Sequence, residues 1–345
     1  MTAFAVASES IHPSEETPSF RLGHILATLP KEVFQKDWRK AWLRVLISVS
    51  VVGLCYWGLA VTPWYGLPVL WFITGTALTG FFIIGHDCGH RSFAQRKWVN
   101  NWVGHLLFLP LLYPFFSWKY LHDHHHKHTN KLSEDNAWDP FLVEDYQKFN
   151  PALRWGYRRL RQEFWWLASI VHWGALHFNW QQLQGKRRRN MQISVALVAI
   201  TAAIGFPLLW ITVGWWGIVK FWLMPWLGYH FWMSTFTLVH HTNPDIHFSP
   251  TASWNEASAQ LFGTVHCTYP RWVEILCHDI NVHIPHHVST AIPSYNLRQA
   301  HQHLRQEWGP QLVERKFGWD LIRSITSQCH LYDPERGYLQ FEDIR

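Results

Sequence analysis

The chain has 345 residues, 48% of them hydrophobic and 16% charged, with 24 tryptophans and 24 histidines. An average soluble domain is about 25% charged, so the balance points to a membrane, where tryptophan gathers at headgroup level, and to histidine, the commonest metal ligand. The net charge of +6 falls beside apolar runs, which excludes a nucleic-acid stripe; Cys55, Cys88, Cys267, Cys277 and Cys329 include no Cys-x-x-Cys pair, which excludes a disulfide framework and a thiolate metal site.

Residues up to Phe20 lack a basic start followed by an apolar run, so they predict no secretory signal and read as a tail. Trp42 to Val61 is apolar for about 20 residues, enough to cross a bilayer core of about 30 Å. A turn at Thr62-Pro63-Trp64-Tyr65-Gly66 leads into a second uncharged run, Leu67 to Gly85, so the two predict a transmembrane hairpin. Met191 to Val213 and Trp215 to Val239 predict another, with its turn at Gly214, a kink at Pro225, and Lys220 near a helix end where its stem can snorkel. Trp102 to Trp118, broken by Pro110 and Pro114, and Phe164 to Trp180 are expected to be interfacial or re-entrant. A crossing at either would put neighbouring histidine clusters on opposite sides of the membrane.

Arg39, Lys40 and Arg44 at the first span, Arg91, Arg96 and Lys97 after the second, and Lys186 to Arg189 before the third all fall on one face. The positive-inside rule then places both termini and the long loops in the cytoplasm. The expected fold is an all-α membrane protein: four transmembrane helices in two hairpins, with a cytoplasmic helical cap carrying a histidine-ligated di-metal site. The expected division is a tail over 1–35, a membrane domain over 36–290 and a C-terminal cytoplasmic region over 291–345.

Three histidine clusters follow the span ends. In His86-Asp87-Cys88-Gly89-His90 continued helix puts both imidazoles on one face at i and i+4. In His122-Asp123-His124-His125-His126, the residues His122, His125 and His126 share a face, while His124, and beyond it His128, point elsewhere. His283-Ile284-Pro285-His286-His287 repeats the spacing, with Pro285 restricting helix to a start near that residue. Each pair alone reads as a solvated surface feature; eight imidazoles at one membrane boundary read as a metal site. Imidazole suits zinc, copper, iron and nickel; a zinc site needs three or four ligands, so eight are enough for two metals. The repeated Glu-x-x-His of soluble carboxylate-bridged bundles is absent from the helices, since Glu9 and His12 lie in the tail.

These three boxes, in this order and with these membrane spacings, resemble the membrane fatty acid desaturase family over nearly the whole chain. The stretches GHDCGHRSF, LHDHHHKHTN, DNAWDP, FWLMPW and CHDINVHIPHHVSTAIPSYNLR resemble most closely its cyanobacterial acyl-lipid delta-12 (omega-6) branch. The resemblance implies two ferrous ions, O₂ as co-substrate, reduced ferredoxin as electron donor, and an oleoyl chain on a membrane glycerolipid as the substrate given a cis double bond. It implies a multi-pass protein of a cyanobacterial thylakoid or plasma membrane, and no catalytic groups beyond the metal ligands. It also supports a ninth ligand at the end of the fourth span, where relatives carry a single histidine before threonine; His241-Thr242 aligns with that better than His240.

Neutral imidazoles need neighbours to fix their tautomers, and Asp87, Asp123 and Asp279 are the expected acceptors, against a reading as solvated loop carboxylates. Arg154, Arg158, Arg159 and Arg161, with Lys186 to Arg189, are candidates to attract an acidic electron donor or anionic lipid, against a plain topology role. An acyl substrate calls for an internal tunnel, whose walls the spacing does not locate. Two other functions remain: a hydroxylase on the same di-metal core, and a metal transporter, disfavoured because the spans are almost free of acids.

Overall fold

A computed structural model describes residues 20–344. Residues 1–19, most of the expected tail, lie outside the described residues. A short helix, α1 (Leu22–Ala27), buries Ile25 in an apolar cluster with Ala257, Leu261, Ile284 and Leu304. Next comes α2 (Trp38–Val61), started by Asp37, whose carboxylate accepts from the Arg39 and Lys40 amides. That N-cap satisfies donors with no partner inside the helix. Pro63 ends it, and Pro68 opens α3 (Leu67–Gly89) from a position where its missing N–H costs nothing.

The two helices treat their apolar surface differently. Leu43, Leu46, Leu54 and Trp57 of α2 are exposed, whereas α3 is buried without a break from Thr74 to Gly89. After it, α4 (Lys97–Phe108) and α5 (Phe115–Lys127) form a hairpin turned at Leu109–Leu112. Each has about one dozen residues, about 18 Å of helix, too short to span. The segment 102–118, expected to be interfacial or re-entrant, lies within this hairpin.

Then follow α6 (Val143–Lys148), α7 (Pro151–Gln162) and α8 (Ala168–Leu176), the last inside the second segment expected not to cross. The third and fourth apolar runs become α9 (Gly185–Ile218) and α10 (Met224–His241). Gly214 breaks α9 with φ +67, a conformation glycine adopts freely, and past it the chain folds back so that Phe206 meets Trp222 with ring centroids 4.7 Å apart. The expected disturbance at Pro225 is a π-helical turn, Val219–Leu223, which leaves Pro225 in the first turn of α10. By length and composition three stretches could cross a membrane: Trp38–Val61, Trp64–Gly89 and the folded-back Gly185–His241.

Helices α3 and α10 make the principal packing contact through glycine. A methyl group on Gly75 would lie 2.5 Å from the backbone of Gly228, so two backbones meet there with no side chain between. The remaining chain is α11 (Glu256–Phe262), β1 (Val265–Thr268), α12 (Arg271–Leu276), α13 (His283–Val288), α14 (Leu297–Trp308), β2 (Val313–Lys316), α15 (Trp319–Gln328), β3 (Leu331–Asp333) and β4 (Gly337–Leu339). The all-α expectation therefore misses two small sheets: β1 pairs in parallel with β2, Val265 opposite Val313, and β3 pairs antiparallel with β4. Strands of three or four residues are too short to leave a periodic signal.

Candidate metal centre

Four helix ends meet. The last turn of α3 supplies His86 and its C-cap His90; α5 supplies His122, His125 and His126; α13 supplies His283, His286 and His287; α10 ends on His241. Glycine allows this convergence on α3: a Cβ on Gly89 would lie 2.5 Å from the Trp118 ring, which itself stacks on His122 at 4.6 Å.

All nine histidines expected from the sequence come together, in two groups. His86, His90, His122, His126 and His286 each turn a ring nitrogen into one point, and His125, His241 and His287 into a second. His283 joins the second, its Nε2 being 2.9 Å from that of His241 and 3.1 Å from that of His287. The shared face expected for the second box is divided, with His122 and His126 in one group and His125 in the other. His286 and His287 part in the same way.

The donors fit metal ions. Burial first, then the neighbouring imidazoles, pushes the pKa of His90, His122, His126, His283, His286 and His287 well down, so the rings are neutral and carry the lone pair that binds a cation. Nε2 atoms then face one another at 3.1 Å across His86 and His286, His86 and His122, and His122 and His126. The buried Nε2 atoms of His90 and His125 have no hydrogen-bond partner at all. Converging desolvated acceptors of this kind are costly unless a cation sits among them.

The groups that orient the rings differ from those expected. His125 Nδ1 lies 2.6 Å from Asp135 Oδ1, with both side chains buried. The Gln260 amide accepts from His287 Nδ1 at 3.1 Å and donates to the His126 carbonyl, tying the two groups together. His283 Nδ1 donates to the Ile280 carbonyl. Neither Asp135 nor Gln260 was singled out from the sequence; Asp135 sits in the DNAWDP stretch, ten residues past His125 in a loop without periodicity.

Of the three expected carboxylates, Asp87 stays close, its Oδ1 3.6 Å from His86 Nδ1, although its other oxygen accepts from the Ser294 amide. Asp123 is exposed and paired with Lys119, because position i+1 points off the ligand face. Asp279 binds Arg44, Arg271 and Arg298 and ties α2 to α14, away from the rings. His124 is exposed and bonds the Glu134 carbonyl, and His128 bonds the His124 carbonyl, so both lie outside the groups as expected. His240 is buried but stacks on His283 at 4.4 Å instead of aiming a nitrogen into either group. Arg161, expected on a basic surface, is buried and donates to Tyr157 and the Trp138 carbonyl. Arg154, Arg158, Arg159 and Lys186 to Arg189 are exposed.

One cavity opens onto the rings. His86, His122, His125, His241 and His283 line it together with Ile83, Phe236 and Met233.

A sequence profile described as Fatty acid desaturase matches residues 62–319, three quarters of the chain and all three boxes. The chain belongs to the fatty acid desaturase family. It is 58% identical over 341 residues to the sn-1 oleoyl-lipid 12-desaturase of Picosynechococcus sp., covering 99% of this chain and 98% of that one. It is 57% identical to the enzyme of the same name from Synechocystis sp., over 97% of this chain and 95% of that one. The chloroplastic omega-6 fatty acid desaturase of Brassica napus is 52% identical over 94% of this chain and 73% of its own length. The desaturase boxes thus carry the imidazoles that the fold gathers.

Proposed function

We propose that this desaturase introduces a cis double bond at the delta-12 position of an oleoyl chain carried by a membrane glycerolipid, giving a linoleoyl chain. The observation that carries the reading is the convergence of nine imidazoles, five of which also line a mostly apolar cavity. The names of the relatives supply the carbon position and the lipid.

An unactivated methylene has no acidity for a base to use, so the chemistry comes from two irons and O₂, with electrons from reduced ferredoxin. The nine histidines would hold the metals, with His86, His90, His122, His126 and His286 available to one and His125, His241, His283 and His287 to the other. Asp135 and Gln260 keep Nδ1 of their partners protonated, which leaves Nε2 for the metal. Ile83, Met233 and Phe236 bind the hydrocarbon and keep water from it.

In this reading α2, α3, α9 and the π turn with α10 cross the membrane as four spans, with the histidines, both termini and the cap on the cytoplasmic side of a thylakoid or plasma membrane. Residues 36–290 are the membrane domain, 1–35 the tail and 291–345 the C-terminal region. The exposed cations at Arg154, Arg158, Arg159 and Lys186 to Arg189 support an acidic donor reaching that side.

The test is lipid analysis of cells that make oleoyl but no linoleoyl lipids, given this gene. A new diene in the glycerolipids supports the reading; a hydroxy acid in its place moves the enzyme to the hydroxylase reaction, and unchanged lipids overturn it.

A further inference from the structure

The cavity below the metal centre ends on a pair of polar side chains. On α10 its wall runs from His241 to Met233, eight residues or about 12 Å of helix, room for the end of a chain and not for the whole of one. Away from the rings stand Tyr113 and His177, the tyrosine just past Leu111, whose carbonyl meets Trp226 fifteen residues or about 22 Å along α10 from His241; both are buried, their ring centroids 4.8 Å apart and Tyr113 Oη 3.4 Å from His177 Nε2. His177 Nδ1 faces the His172 carbonyl and must donate to it, so Nε2 accepts from the Tyr113 hydroxyl and the pair satisfies itself. Beside it the Ser234 hydroxyl donates to that of Ser169, which donates to the His230 carbonyl. The lower end is thus built of polar groups that seek no water, and it can close against hydrocarbon.

The turn that holds Tyr113 is strained and clamped. Leu112 has φ +52, a conformation a branched side chain rarely adopts. It is kept there by the Trp173 indole donating to the Leu112 carbonyl and the Trp226 indole donating to that of Leu111, each at 3.0 Å, and by the Tyr113 amide bonding Phe108. A turn needed only for reversing the chain would use glycine; one that places a side chain is worth strain and three clamps.

We propose that the Tyr113–His177 pair is the floor of the acyl channel and sets the longest chain the enzyme accepts. This rests on the acyl-lipid reading above. The ester and headgroup are polar and would lose their water against this mostly apolar lining, so the hydrocarbon tail is what enters it. Whatever part of the chain lies beyond the reacting carbons must then fit between the metal centre and the pair.

The experiment supplies membranes containing the enzyme with glycerolipids carrying monoenoic chains of sixteen, eighteen, twenty and twenty-two carbons together, and reads the ratio of dienes by chain length. One misfitting methylene in an apolar pocket is worth about 10- to 200-fold in discrimination. Tyr113→Ala and His177→Ala, which open the floor, should raise the twenty-to-eighteen ratio about tenfold or more on that scale. Met233→Trp, which fills the space above it, should lower the eighteen-to-sixteen ratio, and Tyr113→Phe, which keeps the ring, should leave both ratios near those of wild type. A ratio within one sample is unaffected by loss of folded protein; should the opened variants be inactive, the Met233→Trp shift alone decides. An active wild type with the same ratios in all variants overturns the floor; a wild type that makes no diene at all overturns the desaturase reading instead.

Discussion

The two histidine groups are built to different plans. Around His125, His241, His283 and His287, three rings have Nδ1 held by a partner: a buried carboxylate at Asp135, an amide at Gln260 and the Ile280 carbonyl. Around His86, His90, His122, His126 and His286, the Nδ1 atoms of His86 and His126 have no hydrogen-bond partner. Packing sets these rings: Trp118, against Gly89, lies 5.3 Å from the His86 ring and stacks on His122, which in turn meets the His126 ring at 4.6 Å. The His125 group is oriented by polar bonds before any ion arrives, while the His86 group depends on close-packed rings and on the ion itself. Polar orientation and steric orientation fail differently, and that difference is open to test.

The largest effects are expected from the ligands. His126→Ala and His287→Ala, one from each group, should each end desaturation and lower the metal content from about two ions per chain to about one, read by elemental analysis of purified protein. A variant that keeps two ions and turns over would break the division into two groups. Next comes orientation: Asp135→Asn should lose about 10- to 100-fold in metal affinity or activity, whereas Asp87→Asn, whose carboxylate is beyond hydrogen-bond length from His86, should lose much less. Equal losses would erase the contrast.

Smaller effects sharpen the edges of the site. His241→Ala should lose iron and activity, and His240→Ala should retain part of both, since its ring supports His283 by stacking alone. The reverse ranking would move the ninth ligand by one residue. Smallest of all is His124→Ala, an exposed change that should stay within about 0.5 kcal/mol in unfolding measurements and near wild type in turnover.

Helical spacing made the ligands legible. Imidazoles at i, i+3 and i+4 beside a span end must share a face, and the chain needed only to bring four helix ends together. The same arithmetic cannot split a face between two histidine groups, because that depends on which neighbour each ring meets. Orientation was hidden for a related reason. Nearness in sequence points to Asp123 and Asp279 as partners, yet one points off the helix and the other pairs with arginines from α2 and α14. Asp135 and Gln260 are close only in space, and Gln260 lies 134 residues from the carbonyl it holds. The apolar runs marked the long helices to within a few residues, while the two sheets were too short to announce themselves.

The contact of Gly75 with Gly228 acts as a fulcrum. From it α3 runs eleven residues, about 16 Å, to His86 in one histidine group, and α10 runs thirteen residues, about 20 Å, to His241 in the other. Two rods pivoting on one point turn a small change of angle into a larger change of separation at their tips. A single methyl group wedged at Gly75, far from any imidazole, would therefore alter the gap between the two histidine groups, so their spacing is adjusted from a place where none of those histidines stands.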